Sequence, residues 1–245
     1  MPKFNNLQTI PVPGNGHFQF SAIRPDALGA TEYTLVTIVV DITASVASFS
    51  GALLDSVKSV IKACQRSPRV DNLLVRLLLF NSKRQELHGF VPLAQIDADG
   101  YKPLQCSGMT ALYDAVYDAV AATNTYAQTL FAQDFEVNAA IYIITDGMDN
   151  CSTTKPADIA AQVKRAIKQE CLETLITVLV GVDTRDAGVS AHLQLFKDEA
   201  QLSQFVDVAD ASAANLAKLG QFVSHSISLQ SQALNTGAGV PSLSF

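Results

Sequence analysis

The stretch TLVTIVVDITAS, Thr34 to Ser45, decides the fold. Its first seven residues are β-branched or aliphatic, and an aspartate follows them. β-branched side chains are stiff at χ1 and pack well on a pleated surface. A continuous run of this length, without polar alternation, fits a strand covered on both faces, as parallel strands are. The polar segment Asp41-Ile42-Thr43-Ala44-Ser45 then falls at the strand's carboxyl end. Open α/β sheets bind their ligands there, where the strand order reverses.

The same pattern recurs outward from this point. LLVRLLLF (Leu73 to Phe80), AAIYIITD (Ala139 to Asp146) and TLITVLVGVD (Thr174 to Asp183) read as further buried strands, with QFVDV (Gln204 to Val208) as a short last one. Helical periodicity lies between them. Leu53, Leu54, Val57, Val60, Ile61 and Cys64 share one face of a helix over Ala52 to Cys64. Leu112, Ala115, Val116, Ala119 and Val120 do so in a helix beginning near Thr110. Pro156 suits the first turn of a third helix, whose buried stripe is Ile159, Val163, Ala166 and Ile167. Helices are also expected over Ser190 to Glu199 and Ser212 to Ser228. The turn NSKRQ leads into ELHGFVPL, read as an antiparallel edge strand because Pro92 fits an edge or strand end. The expected fold class is α/β: a doubly wound, mostly parallel sheet flanked by helices, with one short antiparallel edge strand. Residues 1–32 are expected as an N-terminal extended arm, 33–228 as the domain and 229–245 as a flexible C-terminal tail.

Composition narrows the classes of function. The 245 residues are 48% apolar and 16% charged, enough for a substantial core and too little charge for a disordered chain. The net charge is −6 and no long Lys/Arg cluster is present, which argues against nucleic acid or an anionic membrane as a general partner. The opening MPKFNNLQTIPVPGNGHF has no signal-peptide core, and the apolar runs are strand-sized, so a cytoplasmic location is expected. Cys64, Cys106, Cys151 and Cys171 match no zinc spacing and read as free thiols.

Three separated pieces carry chemistry. They are Asp41-x-Thr43-x-Ser45, the segment Ser107-Gly108-Met109-Thr110 and the strand end Thr145-Asp146-Gly147. The topology brings Asp41, Thr43, Ser45, Thr110 and Asp146 to one edge of the sheet. Two carboxylates and three hydroxyls form an oxygen-only donor set, suited to hard cations such as Mg²⁺, with Mn²⁺ and Ca²⁺ as alternatives. The competing reading is structural: Asp41, Ser45 and Thr110 as helix caps, and Asp146-Gly147 as an ordinary turn. Asp149 and Asn150 read as a solvated loop, and Asp97-Ala98-Asp99-Gly100 as a turn.

The spacing D-x-T-x-S, then SGMTALYDAV, then IITDGMDN resembles the metal ion-dependent adhesion site of von Willebrand factor A domains, over roughly residues 33–228. Thr43 stands where that family more commonly has serine. The resemblance implies direct ligation by Thr43 and Ser45, by Thr110 directly or through water, and support from Asp41 and Asp146. It implies a non-catalytic interaction module in which a partner's acidic residue completes the metal's shell. It also points to adaptor or assembly subunits that work with AAA+ ATPases, kinases, or stress and defence complexes of the tellurite-resistance type. Two other readings stay open. One is an Mg²⁺-dependent phosphohydrolase with Asp41 as nucleophile, which lacks the usual acid/base aspartate at position 43. The other is a metal-independent scaffold acting through its termini.

Overall fold

The computed structural model describes residues 6–12 and 18–233. Its centre is the expected strand, β3 (Glu32–Asp41), in which every residue after Glu32 is buried. Val36, Ile38 and Val40 face one apolar cluster, while Leu35 and Val39 face the clusters on the other side. This two-period division explains why the run shows no polar alternation.

Eight strands form one sheet in the order β1-β2-β5-β4-β3-β6-β7-β8. β4 (Leu73–Phe80) and β6 (Glu136–Thr145) flank β3 in parallel, followed by β7 (Leu175–Val182) and β8 (Gln204–Val208), also parallel. β5 (Arg84–Pro92) runs antiparallel to β4. Helices α1 (Ser50–Cys64) and α5 (Ala213–Ala233) pack together and bury the β3 face of Val36, Ile38 and Val40. On the other face lie α2 (Leu112–Phe131), α3 (Pro156–Lys168) and α4 (Ala187–Glu199). The fold is of the von Willebrand factor A or Rossmann-like α/β type.

The N-terminal segment differs from the expected extended arm. β1 (Leu7–Pro11) and β2 (Gln19–Ile23) form an antiparallel pair, and β2 joins β5 in parallel through Ala22 and Phe90. β5 is therefore antiparallel as expected but does not form the edge; β1 does. The physical reason is a polar clasp that acts at long range. Glu86 accepts from the Ser21 amide (2.9 Å), the Ser21 hydroxyl (2.5 Å) and Arg76 Nε (2.7 Å). The Arg76 side chain is wholly buried, with its guanidinium carbon 5.6 Å from the Phe18 ring centroid and 5.8 Å from that of Phe20. Gly89 permits the approach, since a Cβ there would lie 1.7 Å from the Ser21 carbonyl oxygen.

At the other end, α5 runs to Ala233, past the expected helix end at Ser228. Polar contacts hold this last turn. Asn138 Nδ2 donates to the Gln230 carbonyl (2.6 Å), and Gln230 Nε2 donates to the Ala139 carbonyl (3.1 Å) and Thr174 Oγ1 (2.6 Å). The tail expected from residue 229 thus begins in helix, and its residues from 234 on lie outside the described residues. All four cysteines are free. Among the described residues, no helix is long and apolar enough to cross a membrane.

Candidate metal centre

The chain reverses its direction of travel across the sheet at β3, with β4 on one side and β6 on the other. The register pairs Val40 with Ile144, so Asp41 ends β3 beside Thr145 at the end of β6. The candidate cluster forms at this switch point.

Asp41 is fully buried and accepts from two donors. Its Oδ1 takes the Thr43 amide at 2.8 Å and its Oδ2 takes the Thr145 hydroxyl at 2.6 Å. Burial outweighs these hydrogen bonds and pushes the carboxyl up to about 6, with the nearby Asp146 adding to the rise. The Asp41–Thr43 contact folds the loop so that residues 43 and 45 meet: Thr43 Oγ1 and Ser45 Oγ lie 3.1 Å apart. Ser45 Oγ then donates to Asp146 Oδ1 at 2.9 Å. Burial also raises the Asp146 carboxyl above its ordinary value, while the Ser45 bond opposes the rise. Asp41, Thr43, Ser45 and Asp146 are thereby joined in one hydrogen-bonded chain, which extends from Asp41 to Thr145.

Thr110 is brought to the same edge on a neighbouring loop. Ser107 donates its amide to the Ile42 carbonyl at 2.9 Å, which lays the 107–110 segment against the 42–45 loop. Gly108 has φ +82°, a left-handed conformation that glycine adopts without a Cβ penalty. Asn81 fixes the segment from β4: its side-chain amide donates to the Ser107 carbonyl (2.8 Å) and its own carbonyl accepts from Ala111 N (3.0 Å). Thr110 itself is buried and joined to Asn150. The Thr110 amide donates to Asn150 Oδ1 (2.8 Å), and the Asn150 amide returns a bond to the Thr110 carbonyl (3.0 Å). Among the described residues, the Thr110 hydroxyl makes no hydrogen bond to the other four candidate groups.

The capping alternative does not describe these contacts. Neither α1 nor α2 has a side-chain cap hydrogen bond, and their N-cap residues are Phe49 and Ala111. Asp149 and Asn150 lie in a loop as expected, half-buried and exposed respectively, and they also tie the site loops together. Asp149 accepts from the Tyr113 amide and from Ser152, while Asn150 holds Thr110. The supporting contacts of Thr145, Asn81 and Asn150 have no signal in sequence, because a hydroxyl or amide beside a motif has no spacing rule of its own. The segment Asp97 to Gly100 is a turn as expected, with Asp97 accepting from the Asp99 amide.

The donor set suits a hard cation: two carboxylates and three hydroxyls, all oxygen, on loops pinned by hydrogen bonds of which the two to Asp41 are buried. Among the described residues, no group of three or more His, Cys, Asp and Glu side chains gathers to hold a metal. Next to the cluster, Ile42 also lines an apolar cavity of about 290 Å³ with Leu87, Tyr101, Pro103 and Leu104.

No protein-family profile matches the chain, and no curated protein does. Solved structures do. The minor pilin PilB of Streptococcus sanguinis superposes with a TM-score of 0.56 at 15% identity, over 88% of this chain and 66% of that one. The pilus adhesin SpaC of Lactobacillus rhamnosus GG gives 0.56 at 11% identity, over 86% and 32%. Proximal thread matrix protein 1 of the mussel byssus gives 0.51 at 16% identity, over 84% and 48%. The chain spans less than two thirds of each of these proteins. At such identities the likeness is one of fold: this chain is built on the same α/β framework as two pilus proteins and a byssal matrix protein.

Proposed function

We propose that the chain is a metal-dependent protein-interaction module, an adaptor or assembly subunit that is not an enzyme. The observation that carries the reading is the convergence of Asp41, Thr43, Ser45 and Asp146 in one hydrogen-bonded chain at the switch point. A bound divalent cation of the Mg²⁺ class, Mn²⁺ and Ca²⁺ included, supplies an electrophilic point that accepts a carboxylate from a partner. Thr43, Ser45 and Thr110 offer neutral hydroxyl oxygens, so they hold a cation without adding charge that would repel an incoming carboxylate. Asp41 and Asp146 supply the negative charge behind them. Thr145, Asn81 and Asn150 keep the loops in place, which limits the ordering cost of binding.

The partner in this reading is a protein presenting an aspartate or glutamate, in the cytoplasm, with AAA+ ATPases and kinases as candidate classes. Asp41 supports the phosphohydrolase reading poorly: it is fully buried, and both its oxygens already accept hydrogen bonds. The test uses acetate as the simplest carboxylate. With Mg²⁺ present, acetate should move the amide NMR signals of residues 43–45, 108–110 and 146, and EDTA should abolish the response. Equal responses with and without EDTA would count against the proposal.

A further inference from the structure

Few large apolar side chains are exposed among the described residues, and two of them flank the candidate centre. Met109 is 56% exposed and Met148 is 44% exposed. Met109 immediately precedes Thr110, and Met148 follows Asp146 by two residues. Their separation is held by the reciprocal Thr110–Asn150 bonds, which tie the two loops together. Isolated exposed apolar residues need no explanation, but a pair on two loops of one site does.

Two carboxylates near this rim already have partners. Asp183, just past the end of the neighbouring β7, is paired with Arg185 at 2.7 Å. Asp149 accepts from Tyr113 N and Ser152. A partner segment rich in acid would meet Asp149, whose bonded partners Tyr113 and Ser152 are uncharged, as a like charge. A single acid set among apolar residues would not, and its apolar neighbours would find the methionines. Methionine is flexible and polarisable, and suits a contact surface of variable shape. Apolar contacts around a carboxylate also exclude water, which strengthens the electrostatic contact they surround.

We infer that Met109 and Met148 form an apolar rim that selects a partner acid flanked by aliphatic or aromatic side chains. This rests on the proposed metal-dependent reading and names the partner chemistry that the same site takes.

The chain has three methionines, Met1, Met109 and Met148, so methyl-labelled methionine reports on the rim with little overlap. Two peptides serve as probes: one with a central aspartate flanked by leucine and phenylalanine, and one with the same aspartate flanked by serines. In saturating Mg²⁺ the apolar-flanked peptide is expected to bind roughly tenfold tighter, as burial of two half-exposed methionines would give. It should shift the Met109 and Met148 methyl signals. The double variant Met109→Ser/Met148→Ser should lose the preference and keep the Mg²⁺ titration of the wild type. Equal, Mg²⁺-dependent affinity for both peptides would overturn the rim alone. So would loss of Mg²⁺ binding in the double variant, because the methionines would then be holding the loops. If neither peptide's binding depends on Mg²⁺, the metal-dependent reading falls as well, and the rim with it.

Discussion

Replacing Thr145 by valine removes one hydroxyl from beneath the candidate centre and nearly preserves the side chain's shape. The hydroxyl donates to Asp41 Oδ2 at 2.6 Å, and both residues are buried. A hydrogen bond to a charged group contributes about 1.5–3 kcal/mol, and one between neutral groups about 0.5–1.5 kcal/mol. In metal-free buffer at pH 7, wild-type Asp41 is mostly ionised, because its carboxyl titrates at about 6. The variant can evade part of the loss by protonating Asp41. Protonation one unit above the pKa costs about 1.4 kcal/mol. Adding the lost neutral bond gives a route of about 2–3 kcal/mol, so the net penalty at pH 7 is about 2 kcal/mol. At pH 5 Asp41 is protonated in both proteins, and the bond to it that is lost is a neutral one, about 1 kcal/mol; the long contacts of the hydroxyl with Gly147 (3.3 Å) are lost equally at both pH values.

The sign follows from linkage. The native pKa is raised above the ordinary value of 3.8, so between these values the native state binds more protons than the unfolded state. The unfavourable burial of the ionised form is present above about 6 and is relieved as pH falls toward 4. Removing the Thr145 donor raises the native pKa further, so the variant gains more from acidification than the wild type does. The assay is urea denaturation of both proteins in EDTA at pH 7 and pH 5. A penalty that is the same at both pH values, or larger at pH 5, would refute the reasoning.

Three further outcomes follow from the packing. Gly89→Ala places a Cβ 1.7 Å from the Ser21 carbonyl, so β2 must leave β5; the loss should be at least about 2 kcal/mol, with amide exchange rising first over residues 19–23. Glu86→Gln leaves the buried Arg76 guanidinium without its carboxylate and should cost about 3–5 kcal/mol, whereas Arg76→Met together with Glu86→Leu should recover most of it in the same denaturation assay. Ser226→Ala removes the 2.8 Å contact that Tyr142 Oη makes from the sheet to α5, and should lower stability by about 1 kcal/mol without changing Mg²⁺ affinity in a calorimetric titration.

The parts of the fold visible in sequence were those fixed by local patterns. Thr34 to Asp41, Leu73 to Phe80 and Gln204 to Val208 are buried runs whose composition alone indicates a strand, and the structure has strands there. Pro156 marked the start of α3 because its missing amide is harmless there. The parts not visible depend on distant partners. β2 is five residues long, and what joins it to the sheet is Glu86, 65 positions after Ser21, together with the missing side chain of Gly89. The extra turn of α5 is held by Asn138 of β6 and by Thr174 just before β7. α4 begins at Ala187, three residues before the expected Ser190, because Asp186 accepts from the Gly188 amide and starts the helix on residues of weak apolar pattern. At the candidate centre, the strand ends named Asp41, Thr43, Ser45 and Asp146, since buried runs stop at them. Thr145 was visible as a strand end but not as the donor to Asp41, and Asn81 stood in an ordinary turn. Asp149 and Asn150 stand in a loop as expected, but their contacts were not legible because the partners, Tyr113 and Thr110, lie about 40 residues earlier in sequence.

The central claim is that this edge of the sheet holds a hard divalent cation. Calorimetric titration with Mg²⁺ and with Mn²⁺ tests it most directly, using wild type, Ser45→Ala and Asp146→Asn. These two positions are preferable to the wholly buried Asp41, because Ser45 is exposed and Asp146 half-buried, so their replacement spares the core. One ion per wild-type chain is expected, with binding sharply weakened in both variants and circular dichroism unchanged in all three proteins. Wild-type protein that takes up neither ion, or variants that bind as tightly as wild type, would contradict it.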